Sequence, residues 1–183
     1  VRTAVMQKVA ALIGTRPWAN VNDLSTPPPA TQWFYSNHSE TNGCFSNFSA
    51  DAVHIGGTKW PTTEHYFQAM KFHPHSPNDV KAVLCARGPM QAARLGRDRA
   101  RPLRKDWEAA KDGIMFDAVA AKFRHHPRLA VTLLATGDDV LVEHTGNDAY
   151  WGDGGDGSGR NQLGITLMQV REILRLEAAG TLG

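Results

Sequence analysis

Glu64 and Lys71 stand seven residues apart in the run Trp60-Pro61-Thr62-Thr63-Glu64-His65-Tyr66-Phe67-Gln68-Ala69-Met70-Lys71-Phe72-His73. A carboxylate and an amine are the side chains that general acid–base and covalent catalysis draw on. Pro61 sits where a helix can start, and residues 62–73 read as that helix. At about 100° per residue, Glu64, Phe67, Gln68 and Lys71 share one face, and Tyr66, Ala69, Met70 and His73 share the other. Seven residues span roughly 10 Å of helix, too far for a direct ion pair. The spacing fits two arrangements: a solvated polar stripe, or a carboxylate and an amine aimed into a cleft.

Other stretches have the same double character. Asn42-Gly43-Cys44-Phe45-Ser46-Asn47-Phe48 alternates small polar residues with aromatics. It suits a turn leading to a strand, or a hydroxyl and an amide set in an apolar pocket. Gly152-Asp153-Gly154-Gly155-Asp156-Gly157 spells a dinucleotide-binding fingerprint, but the helix that follows ends the sequence and leaves no second parallel strand. Asp153 and Asp156 would also repel a phosphate. What survives is a turn delivering N–H groups to a helix start. Asp148-Ala149-Tyr150-Trp151 places a carboxylate beside aromatics, which suits base stacking and sugar hydroxyls. Trp107, Lys111, Met115 and Lys122 fall near one stripe of a long helix, as core with snorkelling lysines or as a site wall. His65, His73, His75, His125 and His126 form no ligand spacing, so neither a metal nor a cofactor is expected.

These residues need elements to hold them. Val5, Val9, Leu12 and Ile13 give residues 1–14 helical spacing, and Pro17 with Pro27-Pro28-Pro29 makes 15–32 an extended connector. The first 32 residues are therefore an appendage, and 33–183 the body. Strands are expected at 33–35, 52–55, 58–60 and 140–142, the second turning at Gly56-Gly57. Helices are expected at 62–73, from Ser76-Pro77 to about Gly88, at 106–125, 128–135 and 161–178. The class is α+β: a single, predominantly helical domain with a small β-sheet.

The sequence has 183 residues, 42% hydrophobic and 21% charged, enough for one core and no disordered tail. Lys plus Arg number 20 against 18 Asp plus Glu, which excludes a uniformly basic nucleic-acid surface but not a local patch. Arg94, Arg97, Arg99, Arg101, Arg104 and Lys105 make such a patch, whether a solvated surface or a contact for a DNA backbone. No apolar run reaches a membrane-spanning length of about 18–20 residues. Two cysteines, Cys44 and Cys85, and no visible secretory signal point to an intracellular setting, cytoplasmic or nuclear.

Taken together, the body resembles the NADAR superfamily, the YbiA-like N-glycosidases. The resemblance is carried by Phe34-Tyr35, Gly43 to Phe48, Trp60 to Phe72 and Trp107-Glu108-Ala109-Ala110-Lys111. It continues through Ala121-Lys122-Phe123, Leu133-Leu134-Ala135-Thr136-Gly137 and Asp148 to Gly152, and ends with Asn161-Gln162-Leu163-Gly164. It runs in unbroken order from Trp33 to about Leu176. Members cleave a ribose C1 bonded to an exocyclic amine, either in riboflavin-pathway ribosylaminopyrimidines or in guanine carrying ADP-ribose.

The resemblance implies Glu64 as acid/base, Lys71 as a Schiff-base or phosphate-binding amine, and Asp148 as a partner of sugar hydroxyls or of developing positive charge. It likewise implies Phe45, Ser46, Asn47, Phe48, Trp107, Lys122, Trp151, Gly152 and Gly154 as a substrate lining. The expected substrate is ADP-ribosylated guanine in DNA or a related ADP-ribose nucleotide. A riboflavin-pathway substrate and a non-catalytic ADP-ribose-binding module are the alternatives.

Overall fold

The computed structural model describes residues 31–34 and 42–180. The helix expected over 1–14, most of the connector and Tyr35 lie outside the described residues. The described residues fall into two compact units: Asn47–His126, and residues 31–34 and 42–46 together with 127–180. Helices dominate both, and each holds one two-stranded sheet, so the class is α+β.

In the unit Asn47–His126, β2 (Val53–Ile55) and β3 (Thr58–Trp60) form an antiparallel hairpin pairing Val53 with Trp60. Its two-residue turn, Gly56 at φ 60° and Gly57 at φ 74°, is the left-handed pair that favours glycine. Helix α1 (Thr63–Ala69) starts at Thr62, whose side chain accepts from His65 N–H at 3.2 Å. It ends four residues before the expected His73. The Lys71 N–H to Gln68 O and Phe72 N–H to Ala69 O bonds tighten the chain into a turn, and Pro74 cannot continue a helix.

Helix α2 (Pro77–Leu84) follows from the Ser76-Pro77 start. Helix α3 (Pro89–Arg97) has no counterpart among the expected elements. Its buried face is only Ala92 and Ala93, with Gly96 beyond them, too small to register as apolar periodicity. Helix α4 (Trp107–His125) fits its expected span within one residue. Val53, Trp60, Tyr66, Ala69, Phe72, Val83, Ala92 and Ala118 form the core of this unit.

In the other unit, β1 (Thr31–Phe34) pairs in parallel with β4 (Val140–Glu143), Phe34 opposite Glu143. Phe34 meets Phe45 edge-on at 5.8 Å, where Gly43–Phe45 forms a single 3-10 turn. Helices α5 (Pro127–Ala135) and α6 (Gln162–Ala178) complete it. Asn161, which begins α6, is fully buried. Its side chain accepts from Glu143 N–H at 3.0 Å and donates to Leu141 O at 2.8 Å. One amide thus serves β4 as a neighbouring strand would. Gly164 then passes so close that a Cβ there would lie 2.0 Å from Leu141 O.

Candidate active site

Thr62 opens α1 and Asn47 fastens it. The Asn47 carbonyl accepts from Glu64 N–H at 3.2 Å and from Thr63 Oγ1 at 3.1 Å, and its side-chain amide donates to Met115 Sδ of α4 at 3.2 Å. Two residues on, Ser49 Oγ accepts from Lys122 Nζ. A single turn segment therefore links the start of α1 to two levels of α4.

Glu64 is held in the first turn of α1 with its side chain only 5% exposed. Phe67 and Gln68 beside it are buried as well. This excludes the solvated polar stripe. One turn later Gln68 Nε2 donates to Glu64 Oε1 at 2.8 Å. Gln68 is the residue here whose importance the sequence does not announce. Its spacing of four from Glu64 is the available signal.

Lys71 sits on the turn after α1, and its amine donates to Gly96 O at 3.1 Å. It also lies 5.5 Å from the Trp107 ring centre and 5.9 Å from that of Phe67. Burial pushes this amine below the usual lysine range. Glu64 opposes that shift, Arg97 reinforces it and Glu108 opposes it more weakly. A lysine so placed spends more of its time as the neutral nucleophile than an exposed one does. Trp107 is buried with its ring 5.0 Å from Phe67 and tilted by 59°, so it walls the amine. Lys122 is fully buried and lies 5.7 Å from the Phe123 ring centre, while Phe48 is half-buried.

The remaining candidates belong to the other unit. Phe45 and Ser46 are buried around the 3-10 turn, with Ser46 N–H donating to Gly43 O. Asp148 Oδ1 accepts from the N–H groups of Tyr150 and Trp151 at 2.9 and 2.8 Å, so this oxygen builds its own turn. Trp151 meets Tyr150 edge-on at 5.1 Å. At Gly152 a Cβ would come within 2.4 Å of Thr145 Cγ2, and Gly154 has φ +76°.

Asp153 does not face outward as a barrier to phosphate. It is 1% exposed, accepting from Thr145 and Gly155 N–H through Oδ1 and meeting His144 Nδ1 at 2.8 Å through Oδ2. Burial pushes its carboxyl up, but the His144 bond and the two amides outweigh it and hold the group below the ordinary range.

Of the basic cluster, Arg101 is engaged by Asp79 and Asp98, and Arg104 forms a bidentate pair with Asp106. Arg94, Arg97, Arg99 and Lys105 are exposed. Among the described residues no three His, Cys, Asp or Glu side chains are grouped to hold a metal ion, and no helix is long and apolar enough to cross a membrane.

Residues 33–175 match the NADAR domain model. The chain is 52% identical over 145 residues to "N-glycosidase YbiA" of Escherichia coli (strain K12), covering 79% of this chain and 88% of that protein. It is 43% identical over 148 residues to "Riboflavin biosynthesis protein VVA0006" of Vibrio vulnificus (strain YJ016), covering 79% of this chain and 39% of that one. Among solved structures, the NMR structure of E. coli YbiA aligns with a TM-score of 0.77 at 45% identity, covering 89% of this chain and 95% of that one.

Proposed function

This chain belongs to the NADAR domain family, and on that premise we propose that it is an N-glycosidase that hydrolyses the bond between a ribose C1 and an exocyclic amine. The observation that carries this is the buried Glu64 carboxyl, which accepts from Gln68 and is set on the same short segment as the half-buried amine of Lys71. The E. coli relative's name, N-glycosidase, supports the same reaction class.

Hydrolysis breaks the C1–N bond and forms a C1–O bond. Protonated Glu64 gives its proton to the departing nitrogen or to the ring oxygen, and the resulting carboxylate takes a proton from the attacking water. Atoms balance: water enters, and free sugar and amine leave. Lys71 offers a covalent variant. Its neutral amine adds to C1 of the ring-opened sugar, the amine base departs, and water hydrolyses the lysine imine. The Gly96 carbonyl holds the Lys71 nitrogen in place, and the Phe67 and Trp107 rings flank it.

The substrate we favour is guanine carrying ADP-ribose in DNA. Four exposed cations, Arg94, Arg97, Arg99 and Lys105, follow from the same unit that holds Glu64 and Lys71, and a phosphate backbone is what such a group binds. The riboflavin-type ribosylaminopyrimidine phosphate remains the second reading, because the V. vulnificus relative is named for riboflavin biosynthesis. Incubating the protein with each compound and weighing the products separates them. Release of ADP-ribose from the oligonucleotide is expected; cleavage of the pyrimidine alone overturns the DNA reading and keeps the glycosidase. Binding of ADP-ribose with no product from either would make the chain a reader.

A further inference from the structure

We propose that Gln68 is a positioning residue for Glu64, its amide holding the carboxyl in one orientation through both protonation states. The inference deepens the glycosidase reading and rests on Glu64 being its acid/base.

Gln68 is 4% exposed, so its amide is out of water. Its Nε2 donates to Glu64 Oε1 at 2.8 Å, while its Oε1 is buried with no hydrogen-bond partner. A buried acceptor left empty is a cost that proteins usually avoid. Here the reason lies in the neighbouring helix. A Cβ on Gly96 would stand 1.9 Å from Gln68 Oε1 and 2.9 Å from Gln68 Cβ. The bare Gly96 backbone on α3 is therefore the wall against which the amide rests. Ala92 and Ala93 on the same helix keep the approach close.

The consequence follows from hydrogen-bond chemistry. An ionised carboxylate only accepts, so it takes the amide N–H as seen. A protonated carboxyl has an O–H to give, and the amide answers it by turning its carbonyl inward. No bond at Oε1 has to break for that turn. A glutamine anchored at both ends would be locked to one state of Glu64; one anchored at a single end can follow the proton, with its charge-assisted bond to the carboxylate the stronger of the two. Lys71 is the cation that feels Glu64, with Arg97 of α3 and Glu108 of α4 around it. Asp79 of α2 is engaged by Arg101, and Asp117 of α4 and Arg104 act on Tyr66.

The test compares wild type with Gln68→Met, which keeps length and removes the donor, and Gln68→Glu, which keeps shape. The Glu64 carboxyl is followed by carbon-13 NMR across pH, assigned by its disappearance in Glu64→Gln. Turnover is measured in parallel on both ribosyl substrates. Gln68→Met should move the Glu64 midpoint upward and lower kcat about tenfold with KM little changed. Gln68→Glu should couple two carboxyls, giving one raised midpoint and a pH–rate profile displaced upward. Gly96→Ala, which pushes the amide aside, should reproduce the Met variant. Unmoved midpoints in the folded variants overturn the proposal, as does a loss confined to KM. A wild type inert on both substrates removes the glycosidase reading, and the midpoints then decide Gln68 alone.

Discussion

Lys71 carries the sharpest prediction at the level of single residues. Burial lowers its amine, so the neutral form appears at lower pH than for an exposed lysine. If the amine attacks C1, activity should rise as pH climbs through that lowered value. Borohydride added during turnover should trap a sugar adduct on Lys71, seen as a mass increase mapped to that residue. Lys71→Met should lose the adduct, and a wild type that never traps one confines Lys71 to binding. Asp153 makes a prediction of the opposite kind. Its lowered carboxyl contributes stability that is present above the ordinary carboxylate range and lost as pH falls through the native value. Asp153→Ala should cost about 2–3 kcal/mol in denaturant melts, because the Thr145 and Gly155 amides lose a buried acceptor. The run Gly152 to Gly157 shows glycines and carboxylates but not direction. Only the fold turns Asp153 inward, where a sequence reader sees a phosphate-repelling charge.

Among the elements, α1 depends on a histidine that must stay neutral. His65 is buried, with Nδ1 at 2.8 Å from Thr62 Oγ1 and Nε2 at 3.2 Å from Ala86 O. Burial pushes its imidazole below the usual value, against the raising effect of the Ala86 carbonyl. A lowered histidine contributes stability that is complete above its unfolded pKa of about 6.5 and is lost as pH falls from there towards the native value. Stability should therefore drop on acidification across that window, and more in wild type than in His65→Gln; equal slopes would contradict the assignment. Helix α6 is tested by Gly164→Ala, whose methyl has no room beside the Leu141 carbonyl. A loss of about 3 kcal/mol is expected.

Element legibility followed the size of the buried face. Helices α4 and α6 bury large side chains such as Met115, Phe123, Leu163 and Leu167, and their spans are readable in advance. Helix α3 buries alanines, so its sequence looks like a charged loop. The early end of α1 rests on local i→i+3 bonds that apolar spacing does not record. As a result Lys71 leaves the helix on which spacing alone would set it.

For the molecule as a whole, the family and the reaction class were legible because long motifs run in order from Trp33 to Leu176, while Gln68 was not, because its role needs the Gly96 wall from another helix. The DNA reading has its own test at this scale. Replacing Arg94 and Arg99 by Ala should weaken oligonucleotide binding and flatten the log K against log salt slope by about 1–2. An unchanged slope would place the DNA elsewhere or exclude it.

A glycosidase that works through Glu64 can be tested by giving an ADP-ribosyl-guanine oligonucleotide to wild type and to Glu64→Gln and measuring free ADP-ribose alongside oligonucleotide binding. Release by wild type is expected, with release reduced by at least about a hundredfold in the variant and binding within a few-fold of wild type. Undiminished release by Glu64→Gln would contradict it.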